Sequence, residues 1–244
     1  MSKSKIEWTE DTWNPTTGCN KVSPGCKNCY AETMAFRLRA MGVKGYEDGF
    51  DLTLHENRIT QPLRKRKPTT YFVNSMSDLF HKNVPFEFLD KVFETIENSE
   101  KHRFQILTKR PERMAKYFSI RTIPDNVWLG VSVEDKKHGL PRIDILRELG
   151  ASIKFLSCEP LLEDLEKINL SGIDWVIVGG ESGHRARPMQ KEWVENIKMQ
   201  CERQDVPFFF KQWGQWGSDG IRRNKKENGR KLNGKIFNGV PIGK

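Results

Sequence analysis

The strongest constraint on the fold is a rhythm that begins near residue 70. Apolar, β-rich runs occur at 71–74, 103–107, 127–133, 153–156, 175–178 and 207–210. Helical patterns lie between most of them, at 86–98, 112–118, 142–149 and 191–204. The connection after Leu156 is short and carries no clear helix. Continuous apolar strands that alternate with amphipathic helices predict a parallel sheet covered on both faces. Six such repeats in about 140 residues predict an α/β fold, a partial or complete (β/α) barrel with parallel strands. A doubly wound open sheet is the alternative, because local pattern does not fix closure. The segment 31–41 reads as a further helix that stops at Gly42.

A chain of 244 residues suits one barrel domain or at most two small ones. We expect a barrel over 1–213, including a loop at 13–32 that carries three cysteines, and a basic, Gly-rich tail or flap over 214–244. No apolar run approaches the roughly 18 residues of a membrane span. The first residues lack the apolar stretch of a signal peptide, so a cytoplasmic protein is the expectation. The net charge of +9 favours a polyanionic partner, a nucleic acid or a phosphorylated substrate. The plainer reading is a soluble basic protein. The excess is local: Arg64, Lys65, Arg66 and Lys67 form one run, and Arg222, Arg223, Lys225, Lys226, Arg230, Lys231 and Lys235 crowd the tail. Trp8, Trp13, Trp213 and Trp216 either pack in the core or stack on bases beside that tail.

Three of the five cysteines fall within eleven residues, in Cys19-Asn-Lys-Val-Ser-Pro-Gly-Cys26-Lys-Asn-Cys29-Tyr30. A cytoplasmic chain of this size needs no disulfides, so the trio reads as metal-binding. Thiolates are soft ligands suited to iron–sulfur clusters and zinc. A [4Fe–4S] cluster usually takes four protein ligands, so three cysteines with no obvious fourth point to an iron left open. A structural zinc site is the other reading, with His55, His81, Cys158 or Cys201 as fourth ligand. Closed zinc sites normally show two ligand pairs, and the second pair is missing here.

In a β/α barrel the chemistry sits at the C-terminal ends of the strands. Those ends carry Ser75, Ser77, Asp78 and His81; Lys109 and Arg110; Ser132, Glu134 and Asp135; Cys158 and Glu159; Glu181, Arg185 and Arg187; and Lys211. Carboxylates and hydroxyls there could hold a ribose or an amine, and the cations a carboxylate or phosphate. The plain reading of any one of them is a solvated loop or a helix cap. Gly179-Gly180-Glu181 lacks the full dinucleotide fingerprint and reads as a ligand-facing turn. Cys158 is either a buried structural thiol or a hydrogen-atom donor. A metal-dependent nuclease built on Asp78, Glu134 and Glu159 ranks last, for want of a compact two-metal motif.

Trp13-Asn-Pro-Thr-Thr-Gly-Cys19 and Cys26-Lys-Asn-Cys29-Tyr-Ala-Glu32 resemble the three-cysteine-motif proteins of bacteriophages and bacteria, a radical S-adenosylmethionine (SAM)-like family distantly similar to spore photoproduct lyase. The blocks at 74–80, 107–111, 130–135, 157–160, 179–182, 211–214 and 229–234 extend the resemblance over the whole chain. It implies a radical-SAM-like barrel with a [4Fe–4S] cluster on Cys19, Cys26 and Cys29. It implies cleavage of S-adenosyl-L-methionine to a 5′-deoxyadenosyl radical that acts on a nucleobase, nucleotide or DNA, with a flavodoxin- or ferredoxin-type reductant. On this reading Asn74, Ser75 and Asp78 hold the SAM amino group. Ser132, Glu134 and Glu181 belong with them in cofactor binding, and Cys158, Lys109 and Glu159 are the catalytic candidates. The usual spacing in radical SAM enzymes is C-x3-C-x2-C with an aromatic residue before the third cysteine. Here the first gap is six, and Asn28 stands at that aromatic position. The alternative function is a non-catalytic nucleic-acid-binding protein with a structural zinc or a redox-sensing cluster.

Overall fold

The computed structural model describes residue 4 and residues 6–242. Residues 1–3 and 5 of the expected barrel, and 243–244 of the expected tail, lie outside the described residues. The elements in chain order are β1 (Asp11–Thr12), β2 (Thr16–Thr17), a 3-10 turn at Pro24–Cys26, α1 (Tyr30–Ala40), β3 (Thr53–Leu54), α2 (Glu56–Ile59) and a second 3-10 turn at Pro62–Arg64. The alternating part follows as β4 (Thr70–Val73), α3 (Phe86–Glu97), β5 (Arg103–Thr108), α4 (Pro111–Phe118), β6 (Val127–Ser132), α5 (Lys136–Arg147), β7 (Ile153–Cys158), β8 (Trp175–Gly179), α6 (Lys191–Arg203), β9 (Phe208–Gln212) and α7 (Lys225–Asn228). Seven strands form one sheet in the order β1-β4-β5-β6-β7-β8-β9, while β2 and β3 form a separate antiparallel pair. The pairs β1–β4, β4–β5, β7–β8 and β8–β9 are parallel. The fold class is α/β, with parallel strand pairs and helices between most strands, as the rhythm of the sequence leads us to expect.

The chain divides into two compact units. The first comprises Met1–Val22, Cys29–Gly130 and Leu149–Ser152. Its strands β4 and β5 pair in register, Tyr71 opposite Phe104, and these two rings stack with centroids 5.5 Å apart. Helix α3 forms because Phe88, Leu89, Val92, Phe93 and Ile96 recur on one face, and that face is buried. Pro111 starts α4 at the first helical position, where its missing N–H costs nothing. The α4 residue Tyr117 packs on Phe93 and donates its hydroxyl to Asp90 Oδ1 at 2.8 Å. Trp13 is fully buried, with its indole N–H on the Arg58 carbonyl at 2.8 Å.

The second unit comprises Ser23–Asn28, Val131–Glu148 and Ile153–Lys244. Helix α5 begins six residues earlier than its apolar pattern predicts. Asp135 caps it by accepting from the His138 backbone N–H at 2.6 Å. Gly139 and Pro141 disguise its first turns in the sequence, yet Gly139 lies so close to Val133 that a Cβ there would sit 2.7 Å from the Val133 Cα. No helix joins β7 to β8. Gln200 of α6 organises that connection, accepting from the Ile168 N–H at 2.7 Å and donating to the Glu166 carbonyl at 2.6 Å. Beyond β9 the chain returns alongside it. The Phe210 N–H donates to the Phe237 carbonyl at 3.1 Å, and the Gly239 N–H donates to the Phe208 carbonyl at 2.9 Å. Trp213 is buried and Trp216 is half-buried. No helix among the described residues is long and apolar enough to cross a membrane.

Candidate functional site

In the first unit the candidate residues gather where β4 and β5 end. Asp78 follows β4 and is buried. It accepts from Thr108 Oγ1 at 2.7 Å, from the Phe80 and Lys109 N–H groups at 3.0 Å each, and from Arg110 Nη1 at 3.0 Å. Four donors occupy a carboxylate's acceptor capacity, so Asp78 works here as the organiser of a turn. Arg110 Nη1 also lies 3.5 Å from Cys19 Sγ, and its Nη2 donates to the Asn20 carbonyl at 3.1 Å. Burial works against the Arg110 charge, but Asp78 and Cys19 outweigh it and hold the guanidinium above its ordinary pKa. His81 Nε2 meets Asn20 Oδ1. Asp78, His81 and Arg110 therefore grip the two residues at the head of the cysteine segment.

Cys29 caps the N-terminus of α1 in an extended conformation. The neighbouring Tyr30 hydroxyl donates to the Ser75 carbonyl. The Ser75 hydroxyl is bonded to the Asn14 side-chain amide, at 3.1 and 3.2 Å. Asn74 is buried, and its amide NH2 donates to the Ser77 hydroxyl at 2.6 Å and to Thr16. Its Oδ1 is buried with no hydrogen-bond partner. A buried acceptor without a donor is costly, and it is suited to an incoming ammonium or amide. Lys109 is half-buried beside this turn.

His55, the other histidine offered as a zinc ligand, meets Thr17 Oγ1 through Nε2 at 2.8 Å. Burial, helped by the charge of Arg58, lowers its pKa from 6.5 to about 4. The unfolded chain takes up this proton as pH falls through 6.5, whereas the folded chain resists until about 4. Stability from neutral His55 is thus complete above pH 6.5 and is lost as pH falls toward 4. The expected result is a melting temperature that drops across this window and drops less in His55→Gln. The difference is at most about 3 kcal/mol, at roughly 1.4 kcal/mol per pH unit. Burial shifts His81 and His102 the same way, so the profile flattens only in part. Superimposable profiles for the two proteins would refute the assignment.

In the second unit the segment 23–28 carries Cys26, in a 3-10 turn started by Pro24. Ser23 donates its hydroxyl to Glu134 Oε1. Glu134 is fully buried and is neutralised by Arg142, whose Nη1 lies 2.7 Å from Oε2. A Cβ on Gly25 would come within 3.0 Å of the Glu134 side chain, so the turn presses directly on that carboxylate. At the other end Asn28 Nδ2 donates to Glu181 Oε2 at 3.0 Å and to the Arg185 carbonyl at 2.7 Å. Arg187 binds Glu181 through Nε at 2.9 Å and Nη2 at 2.6 Å. Burial favours the neutral acid, but Arg187 and Asn28 outweigh it and hold the Glu181 pKa below its ordinary value. Glu134 and Glu181 thus fasten the two ends of the Cys26 segment.

Glu159 accepts from Lys211 Nζ through both oxygens, at 2.7 and 2.9 Å. Ser132 is buried, and its carbonyl accepts from Arg142 at 2.7 Å. Cys158 is fully buried, and burial pushes its thiol pKa far up. Asp78, Glu134 and Glu159, the carboxylates of the nuclease reading, each already hold a cation of their own unit. Ser23, Asn28 and Arg142 were not among the candidates from sequence, whereas Arg187 was. Only the polar loop composition around Cys26 hinted at them.

A family model described as "Protein of unknown function (DUF5131)" matches residues 3–241. The chain belongs to the DUF5131 family. No curated protein is similar enough to this DUF5131 chain to count as a match. Among solved structures it is similar to a cysteine-to-serine mutant of spore photoproduct lyase, at 15% identity and TM-score 0.49, over 83% of this chain and 63% of that one. It is also similar to spore photoproduct lyase complexed with dinucleoside spore photoproduct, at 13% identity, TM-score 0.46 and the same coverage. A tyrosine-to-phenylalanine mutant of the lyase gives 14% identity and TM-score 0.45 over 93% of this chain and 73% of that one. The DUF5131 chain spans less than two thirds of the length of the first two.

Among the described residues, no group of three or more His, Cys, Asp and Glu is arranged to hold a metal ion as it stands. The donor chemistry of the DUF5131 chain nevertheless fits an iron–sulfur cluster. Cys19, Cys26 and Cys29 are in no disulfide and all half-exposed, and thiolates are the usual ligands of such clusters.

Proposed function

We propose that this DUF5131 protein is a radical SAM iron–sulfur enzyme of the three-cysteine-motif type that acts on a nucleobase, nucleotide or DNA. The observation that carries the reading is the segment itself: three cysteines in eleven residues, none in a disulfide, with no fourth cysteine nearby in the sequence to close a cluster. Cys19, Cys26 and Cys29 would hold a [4Fe–4S] cluster and leave one iron for the amine and carboxylate of SAM. When bound, the pair would supply one-electron reductive cleavage of SAM and hydrogen abstraction from the substrate.

The chain's own residues have separable tasks in this reading. Arg110, fixed by Asp78, sets a positive charge beside Cys19 and favours its thiolate. Cys29 stands at the start of α1. The open acceptor of Asn74 would orient the SAM amino group, with Thr16 and Ser77 holding its amide in place. Lys109, Glu159 and Cys158 are the catalytic candidates of this reading, Cys158 as the hydrogen donor. We take 1–213 as the barrel and 214–244 as its covering flap. The net charge of +9 supports an anionic substrate.

The test is anaerobic reconstitution followed by EPR of the dithionite-reduced protein, with and without SAM. A [4Fe–4S]⁺ signal that shifts on adding SAM, together with release of 5′-deoxyadenosine, is the expected result. A cluster indifferent to SAM points to a redox sensor. Zinc in place of iron leaves the non-catalytic nucleic-acid-binding reading in front.

A further inference from the structure

The loop that follows Glu181 is stapled to the segment after β9. The Gln215 N–H donates to the Glu181 carbonyl at 3.0 Å, and the Trp216 indole N–H donates to the Ala186 carbonyl at 2.7 Å. Arg222 Nη2 donates to the His184 carbonyl. The two chains touch because both crossing points are glycine. A Cβ on Gly180 would sit 1.9 Å from the Trp213 carbonyl oxygen, and one on Gly214, at φ +81°, 2.2 Å from that of Glu181. The same loop receives the Asn28 bond on its Arg185 carbonyl, so it adjoins the Cys26 segment.

This stapled surface carries an excess of positive charge. Residues 214–244 hold eight Lys and Arg against two Asp and Glu. Asp219 is taken by Arg223, through both oxygens at 2.9 and 2.7 Å. Arg185, Arg222, Lys225 and Lys226 are exposed, and among the described residues none is paired with a carboxylate. Elsewhere on this unit the surface cations Lys136, Arg147, Lys191 and Lys198 each face a carboxylate. Exposed Lys27, Lys137, Lys167 and Arg203 also lack a carboxylate partner among the described residues but are scattered along the chain, whereas these four cations cluster on one stapled surface and leave it open to an external anion. Its preorganisation lowers the ordering cost of binding.

We propose that Arg185, Arg222, Lys225 and Lys226 form the docking surface for the phosphodiester backbone of a nucleic acid, next to the Cys26 segment. The partner class rests on the reading above; the location rests on the geometry. Half-buried Trp216 and exposed Ile221 lie in the same stretch and offer apolar surface to an unpaired base.

The test is fluorescence anisotropy of the full chain with a labelled 20-nucleotide single strand and the corresponding duplex, at several salt concentrations. Each phosphate contact contributes a salt slope of about 0.7 for single strands and 0.9 for duplex. Arg185→Ala/Arg222→Ala is expected to reduce the single-strand slope by about 1.4 and weaken binding on the order of 20-fold near 0.1 M salt. Lys136→Ala, which removes a paired cation, is expected to change neither. Binding that is equal in the double variant and the parent overturns the proposal. So does retention on anionic vesicles with no binding to either oligonucleotide. The readout uses neither cluster nor SAM, so its failure is distinct from the failure of the radical reading, which the EPR experiment decides.

Discussion

Replacing Cys19, Cys26 or Cys29 singly with alanine will abolish the iron content of the reconstituted protein, while Cys158→Ala and Cys201→Ala will leave it intact. The expected contrast is from about four iron atoms per chain to fewer than one, because a [4Fe–4S] cluster held by three thiolates has no protein ligand in reserve. Iron and acid-labile sulfide assays, with the absorbance of the brown holoprotein, read the result. Cys158 and Cys201 are the internal controls. Both are fully buried, and burial raises both thiol pKa values, Cys201 to about 12. Neither is a ready source of thiolate. If the single variants keep full iron, the ligand assignment is wrong. If iron never binds and zinc survives in the variants, the metal site lies elsewhere.

Glu134→Ala will destabilise the chain by about 3–5 kcal/mol, because it strands the buried Arg142 guanidinium. The two side chains meet at 2.7 Å with Glu134 entirely inaccessible, so water cannot replace the lost partner. A chain of this length loses roughly 2–4 °C of melting temperature per kcal/mol, so a drop of about 6–20 °C is expected. The double variant Glu134→Gln/Arg142→Met removes both charges and should recover most of it, since hydrophobic replacement of a buried pair is often neutral. Thermal unfolding of the three proteins decides the matter. A melting temperature for Glu134→Ala within about 2 °C of the parent would mean that Arg142 finds solvent, and that the pair carries little. Ser23→Ala supplies a milder comparison. It deletes the contact from the Cys26 segment to Glu134 but leaves the ion pair. It should cost about 1 kcal/mol and make Cys26 react faster with a thiol reagent.

These two expectations separate the residues that hold a cluster from the residues that hold its loop. The strand-end carboxylates looked alike in the sequence, each a candidate for ligand binding. In the structure Asp78 serves Arg110 and a turn, Glu134 and Glu181 serve the Cys26 segment, and Glu159 serves Lys211. Asn74 is the strand-end residue with an unanswered buried acceptor among these.

The local features of this protein were written in its sequence. Apolar runs that alternate with helical stripes specify parallel strands and their covering helices, because both signals are periodicities of a few residues. The spacing of Cys19, Cys26 and Cys29 is local in the same way, and so is the charge of the tail. Only the tertiary structure decided which partner each buried charge takes. Ser23 meets Glu134 across 111 positions, and Asn28 meets Glu181 across 153. No local pattern encodes such pairs. A carboxylate and an arginine carry the same signature whether they bind a ligand, fasten a loop or stay in water. The role is fixed by desolvation, which depends on what the fold brings alongside.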